Sequence, residues 1–265
     1  MAQPPLKLAI AGAGGRMGRM LLDAATADPT TEVRLALEHA HSPLVGSSVG
    51  GYAVTGDLAA LKNVDCLIDF TRPAGTLAHL EMCAQHGVAA VIGTTGFDFE
   101  QLARLRSYAQ RMPIVFAPNM SLGVNVTAKL VEQAAKALGL AADIEVFEAH
   151  HKLKVDAPSG TALMLGRVAA EARGQRIDEV GVFERHGADA ARTAGSIGFS
   201  SMRGGDIVGD HTVFFALNGE RIEITHRSSS RATYAEGALR AAKWLVGRAP
   251  ELFDMHDVLG LRGAA

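Results

Sequence analysis

The sequence predicts an α/β protein: a parallel sheet covered by helices on both faces, joined to a second, α+β domain with a mixed or antiparallel sheet. Three observations carry this expectation. Short apolar runs alternate with helical stretches as far as Met120, the pattern changes near Ser121, and a hairpin signature stands at Asn218-Gly219. Alternation of the first kind specifies right-handed βαβ crossovers and a sheet buried on both sides.

The runs Leu6 to Ala11, Glu32 to Glu38, Val64 to Phe70, Val88 to Thr94 and Ile114 to Ala117 read as strands. After Gly15, Met17, Met20, Leu21 and Ala24 fall on one helical face, and a second helix starts at Pro73 and stops at Gly87. Beyond Ser121 the spacing predicts a helix over Gly123 to Ala137, then strands Ile144 to Ala149 and Ser196 to Met202. The strands His211 to Leu217 and Arg221 to His226 flank Asn218-Gly219, a pair suited to a type I′ turn. The apolar face of a helix from Arg231 to Val246, with Ser230 as N-cap, needs a core, and the first domain is expected to supply it. The expected division is 1–121, completed by 231–265, and 122–230.

A chain of 265 residues, 48% hydrophobic, buries a substantial core. With 26 basic and 28 acidic residues, its net charge of -2 provides no footprint for nucleic acid or anionic lipid. No apolar run approaches the roughly 18 to 20 residues of a membrane-spanning helix, and the beginning Met-Ala-Gln-Pro-Pro-Leu lacks a signal-peptide pattern, so a cytoplasmic location is expected. Cys66 and Cys83 read as core residues, with no spacing that suggests a metal site.

The first strand runs into Gly12-Ala13-Gly14-Gly15-Arg16-Met17-Gly18 and then a helix. The last glycine comes one residue late for G-x-G-x-x-G, so the better reading is Gly12-x-x-Gly15-x-x-Gly18. Glycines there let backbone N–H groups and the positive end of a helix dipole approach a pyrophosphate, the mark of a Rossmann-like dinucleotide-binding domain. Glu38, about 20 residues beyond the loop, stands where an acid would accept hydrogen bonds from a ribose. Two more strand ends reach the same edge: Gly93-Thr94-Thr95-Gly96 and Ala117-Pro118-Asn119-Met120. By themselves these turns also fit ordinary turn chemistry.

After Ala149 comes His150-His151-Lys152-Leu153-Lys154-Val155-Asp156-Ala157-Pro158-Ser159-Gly160-Thr161-Ala162. An imidazole with a reference pKa of about 6.5 serves as a general acid near neutrality, and Lys154 adds a positive charge or a proton. Pro158 and Ser159 open a helix whose N–H groups at Ser159, Gly160 and Thr161 suit a carboxylate. Together these features predict a small anionic substrate, carrying more than one carboxylate, that is protonated after hydride arrives.

The stretches Ala11 to Gly18 and Glu148 to Ala162, with Ile68 to Pro73, Val91 to Phe97, Gly205 to Gly209 and Leu252 to Met255, resemble the 4-hydroxy-tetrahydrodipicolinate reductase (dihydrodipicolinate reductase) family over nearly the whole chain. The resemblance implies hydride transfer from NADH or NADPH to C4 of a cyclic unsaturated dicarboxylate formed as water leaves the 4-hydroxy substrate, in diaminopimelate and lysine biosynthesis. It implies His150 as proton donor or acceptor and Lys154 as a second donor, with His151, Gly160 and Thr161 on substrate carboxylate. Gly12 to Met17, Glu38, Gly93 to Thr95 and Ala117 to Met120 would line the cofactor. A homotetramer assembled through the second domain is also implied. Where some members carry Arg after the ribose-binding acid to meet an NADP 2′-phosphate, this chain has His39; Arg16 and Arg72 are nearby candidates. NADH is therefore expected to serve at least as well as NADPH. Two alternatives keep the glycine loop but change the function: an NAD(P)-binding sensor, which leaves His150 and Lys154 unexplained, and a Rossmann reductase for another small anion, which would need its own substrate motif.

Overall fold

The computed structural model describes residues 4–262. It divides into two compact units: residues up to Leu122 with those from Ala232 onward, and Gly123–Arg231 between them.

In the first unit the elements follow as β1 (Leu6–Ala11), α1 (Arg16–Ala27), β2 (Thr31–Leu37), β3 (Ser48–Val49), β4 (Tyr52–Thr55), a 3₁₀ turn (Leu58–Asn63), β5 (Cys66–Asp69), α2 (Pro73–His86), β6 (Ala89–Ile92), α3 (Phe99–Tyr108) and β7 (Ile114–Phe116). The second unit supplies α4 (Leu122–Leu138), β8 (Asp143–His150), α5 (Gly160–Ala172), α6 (Ile177–Val180), β9 (Gly181–Val182), β10 (Ile197–Arg203), β11 (Gly209–Ala216) and β12 (Arg221–Ser228). Then α7 (Ala232–Leu245), β13 (Leu252–Phe253) and α8 (Met255–Leu259) return to the first.

The first sheet has the order β13-β7-β6-β5-β1-β2-β4-β3, parallel throughout except for the β3–β4 hairpin. Because side chains alternate along a strand, its two faces build two cores. Leu8, Ile10, Ile68, Val91 and Val115 pack under α1 and α7, whereas Ala9, Leu67, Ala90, Ile92 and Ile114 pack under α2 and α3. Each fully buried Leu or Ile contributes on the order of 1.5 to 3 kcal/mol. Helix ends follow the sequence: Pro73 opens α2, Gly87 closes it at φ +67°, and Asp98 and Gln101 form a reciprocal cap on α3. Trp244 of α7 lies edge-on to Phe253 at 5.0 Å, with the Arg248 guanidinium 3.4 Å above its ring.

The second sheet is mixed, in the order β12-β11-β8-β10-β9, with β8, β9 and β10 parallel and β11 antiparallel to β8 and β12. Ile144, Val146, Ile197, Phe199, Val213 and Phe215 form one core with Ala128 and Val131 of α4 and with Leu165 and Ala169 of α5.

Two local expectations are corrected. The turn between β11 and β12 is not type I′, because Gly219 alone takes positive φ, at +93°, and no non-glycine residue does so among those described. The strand expected over Val64 to Phe70 is shorter, since the 3₁₀ turn before it runs to Asn63, Val64 caps it, and β5 spans only Cys66–Asp69.

Candidate active site

Strand order reverses about β1: β2 and β4 follow on one side, β5, β6 and β7 on the other. Ligands of open parallel sheets bind beyond the carboxyl ends at such a point. There the chain places Gly12 to Met17 after β1, Glu38 and His39 after β2, Arg72 after β5, Gly93 to Thr95 after β6, and Ala117 to Met120 after β7. All the cofactor-binding candidates thus fall along one edge of one unit.

The glycine spacing has a steric cause. Gly12 holds φ +68°, and a Cβ at Gly18 would stand 2.1 Å from the Gly12 carbonyl oxygen, so only glycine lets α1 begin this close to the turn. A Cβ at Gly14 would meet Leu44 at 2.2 Å and the Glu38 carboxylate at 3.1 Å. The Gly14 N–H donates to Glu38 Oε1 at 2.8 Å, so the acid is already held beside the loop. This cradle, open where a side chain would close it, fits the pyrophosphate of a dinucleotide. The side chains of Ala13 and Met120 are wholly buried in the core, which leaves their backbones for ligand contact. His39 and Arg16 are exposed, and the His39 ring lies 5.3 Å from that of His41.

In the second unit the helix-covered face of the sheet continues from apolar into polar residues. Along β8 the same face carries Ile144, Val146, Glu148 and His150; on β10 it carries Ile197, Phe199, Ser201 and Arg203, and on β11 Gly209, His211, Val213 and Phe215. Register then sets Ser201 and His211 on either side of Glu148, and Arg203 beside His150.

Glu148, only 1% exposed, is the hub. Its Oε2 lies 2.6 Å from His150 Nδ1, Arg203 donates to both of its oxygens at 2.7 and 2.8 Å, and the Ser159 N–H donates to Oε1 at 3.2 Å. Burial opposes the charge, but the hydrogen bonds from Arg203, Ser201 and His150 prevail and hold the carboxyl down to about 2. A carboxylate on Nδ1 requires the proton there, so Nε2 is the nitrogen left for exchange. Gly209 flanks Nε2: a Cβ on it would stand 3.0 Å away.

His211 stands edge-on to His150, ring centroids 5.1 Å apart. Its Nε2 shares a 2.9 Å hydrogen bond with Ser159 Oγ, and its Nδ1 has no partner among the described residues. Burial first, and the neighbouring His150 second, push its pKa down to about 4, so it is neutral near pH 7. Lys154 Nζ pairs with both oxygens of Asp156 at 2.7 and 2.8 Å, which lowers the Asp156 pKa. His151 Nδ1 accepts from the Leu153 N–H at 3.3 Å, and its Nε2 lies 3.4 Å from Arg231.

Ser159 is tied into the cluster: its N–H donates to Glu148 Oε1, and its hydroxyl oxygen accepts from the Ala162 N–H, capping α5. Gly160 is exposed in open space at the first turn of α5, with Thr161 next to it. Glu148, Arg203 and His211 went unread as site residues, although the two-residue spacing of Glu148 and His150 on one strand was available as a signal. No cluster able to hold a metal ion occurs among the described residues.

The family model for the N-terminus of dihydrodipicolinate reductase matches residues 6–120, and that for its C-terminus matches residues 123–259. The chain belongs to the dihydrodipicolinate reductase family. The 4-hydroxy-tetrahydrodipicolinate reductase of Bordetella pertussis is 54% identical over 264 residues, covering 97% of this chain and 98% of its own length. That of Burkholderia lata is 56% identical over 265 residues, covering 97% and 100%. A solved dipicolinate-bound dihydrodipicolinate reductase from Paenisporosarcina sp. TG-14 shares the fold, with a TM-score of 0.77 at 24% identity over 94% of this chain and 97% of its own. As a member of this family the chain is an NAD(P)H-dependent oxidoreductase that reduces 4-hydroxy-tetrahydrodipicolinate in the diaminopimelate and lysine route. No helix among the described residues is long and apolar enough to cross a membrane.

Proposed function

We propose that the two units divide this reaction, the first binding the nicotinamide cofactor along the carboxyl edge of its sheet and the second supplying the proton and the carboxylate contacts. The single observation that carries the reading is the Glu148–His150 pair at the end of β8.

The Gly12 to Met17 loop would hold the pyrophosphate, Glu38 the adenosine ribose, and the turns Gly93 to Thr95 and Ala117 to Met120 the nicotinamide half, with Arg72 beside them. The bound cofactor supplies a hydride to C4 of the dicarboxylate formed by loss of water from the 4-hydroxy substrate. His150 Nε2 then gives a proton to the neighbouring carbon. Glu148 stabilises the imidazolium that carries this proton, and Arg203 keeps Glu148 from competing for it. Lys154, next to Asp156, is a second donor. His151, Gly160 and Thr161 would receive substrate carboxylate, helped by the positive end of α5.

His39 in place of an arginine beside Glu38 supports use of NADH at least as good as that of NADPH. The family resemblance supports a cytoplasmic homotetramer, assembled through the second unit, whose edge strand β12 exposes Ile222. Light scattering on the purified chain tests the assembly.

The reaction is tested by supplying substrate from pyruvate and aspartate semialdehyde with the preceding synthase and following loss of NADH or NADPH absorbance. Consumption that needs every component supports the proposal. Cofactor binding without consumption moves the reading to a sensor or to a reductase for another anion.

A further inference from the structure

The first unit contains a buried polar cluster that the proposed reaction does not use. Asp69, the last residue of β5, is 0% exposed, and its Oδ2 lies 2.7 Å from Nδ1 of His79, a buried residue two turns into α2. Its Oδ1 accepts from the Thr71 N–H and the Thr71 hydroxyl, both at 2.7 Å, and its backbone carbonyl accepts from the Gly93 N–H at 2.9 Å. Thr94 Oγ1 lies 2.8 Å from Thr76 Oγ1, and Thr76 Oγ1 lies 3.4 Å from Thr71 Oγ1.

A buried carboxylate is tolerated only when donors surround it, and burying one between apolar cores is a poor way to stabilise a fold. The arrangement does something more specific. The Thr71 and Thr94 hydroxyls both donate to Asp69 Oδ1, at 2.7 and 3.4 Å, the Thr76 hydroxyl lies within hydrogen-bond reach of both, and His79 closes the other oxygen. Burial disfavours the Asp69 charge, yet the His79 and Thr71 contacts outweigh it and lower the pKa. Of the two hydroxyl donors, Thr94 stands in the turn after β6, and the Thr71 methyl would stand 3.0 Å from a Cβ on Gly12. Gly75 lets α2 come this close, since a Cβ there would meet Thr71 Oγ1 at 3.2 Å and His79 Cε1 at 4.0 Å.

We propose that Asp69 and His79 are positioning residues for the cofactor: their buried hydrogen bond fixes Thr71 and Thr94, and through them the backbone of the Gly12 and Gly93 turns, in the geometry that receives the dinucleotide. The proposal rests on the reading of this edge as the nicotinamide site. It separates the roles of neighbouring groups. Asp69 and His79, both buried, act through Thr71 and Thr94, so their removal acts on cofactor affinity and leaves the carboxylate contacts of the second unit untouched.

The test uses the full chain with His79→Leu, which removes the donor, and His79→Asn, whose side-chain amide places an N–H near the position of Nδ1. Thr94→Val and Thr94→Ser form a second pair that leaves the buried carboxylate paired with His79. Direct titration with NADH and steady-state KM values for both substrates are measured beside the melting temperature. The expected result is that His79→Leu and Thr94→Val weaken NADH binding on the order of tenfold or more, the effect of one well-placed charged or buried hydrogen bond. His79→Asn and Thr94→Ser recover most of the loss, and the dicarboxylate KM stays within about twofold throughout. Unchanged NADH affinity in both Leu and Val variants overturns the proposal, whatever their melting temperatures. So does an equal loss in both members of each pair. A wild-type chain that binds neither NADH nor NADPH overturns the cofactor-site reading and the proposal together, whereas wild-type binding with unaffected variants overturns the proposal alone.

Discussion

Glu148 Oε2 and His150 Nδ1 are 2.6 Å apart on alternate positions of one strand, with Arg203 closing the far side of the carboxylate. The pair leaves Nε2 as the nitrogen free for exchange and keeps a full negative charge beside the ring. His150→Ala is expected to lower turnover by on the order of 10² to 10⁴, the range for a positioned acid or base, with NADH affinity unchanged. Lys154→Ala falls in the same range on the same reading. Single-turnover kinetics with titrated cofactor check both, and near-wild-type rates remove either residue from its role.

Glu148→Gln keeps the shape of the hub but removes its charge, leaving Arg203 beside a neutral amide. Turnover is expected to fall about 10- to 100-fold, and stability by on the order of 3 to 5 kcal/mol, as when one partner of a buried pair is lost. Urea unfolding and the rate of the surviving folded protein measure the two effects separately.

His211 gives the fold a pH dependence of definite sign. Its folded pKa of about 4 lies below the ordinary value of 6.5, so between these values the unfolded chain binds the extra proton. Stability from this residue is complete above about pH 6.5 and is lost as pH falls toward 4, to a limit on the order of 3 kcal/mol. Glu148, folded at about 2 against an ordinary 4.5, adds a second loss at lower pH. In His211→Gln the decline between pH 6.5 and 4 flattens in a series of melting curves; a slope equal to wild type removes His211 as its source.

Cofactor choice is expected to turn on the residue after Glu38. His39→Arg should improve NADPH relative to NADH by about tenfold in kcat/KM, the effect of one charge-assisted contact to a 2′-phosphate. An unchanged ratio assigns the selection to other groups, with Arg16 next in line.

Gly18→Ala tests the glycine spacing itself. Its Cβ would stand 2.1 Å from the Gly12 carbonyl oxygen, so the loop or α1 must shift. Loss of NADH binding with destabilisation of about 1 to 3 kcal/mol is expected, as for an overpacked site. Normal cofactor titration would show that α1 yields more readily than its packing suggests.

Legibility in the sequence follows how local each signal is. The parallel strands were readable because buried βαβ strands are continuous apolar runs, and the Gly12-x-x-Gly15-x-x-Gly18 spacing because backbone proximity leaves only one residue type. The β3–β4 hairpin passed unread: two and four residues around Gly50-Gly51 are too few to show a period. Asn218-Gly219 marked a turn correctly but not its type, since Gly219 alone satisfies the positive φ. At the candidate site, His150 and Lys154 stood within one dense segment. Arg203 and His211 come from β10 and β11, more than fifty residues away, and only strand register brings them to Glu148. Ser159 was placed at the right helix end, but which partner takes its N–H depends on Glu148, a matter of tertiary packing that no local pattern reports.

The return of the chain to its first sheet sets an order on biosynthesis. The apolar face of that sheet under Ala238, Ala241, Ala242 and Leu245 is covered by α7, and β13 completes the edge beside β7, yet both follow the second unit in sequence. A nascent chain released through Arg231 therefore carries every strand end proposed for the dinucleotide while Leu8, Ile10, Ile68 and Val91 still lack part of their cover. Exposed apolar sheet is the surface that holdase chaperones retain. Trp244, the one tryptophan in the sequence, sits in the closing helix against Phe253 and Arg248, so its environment reports whether that last cover of the sheet is in place.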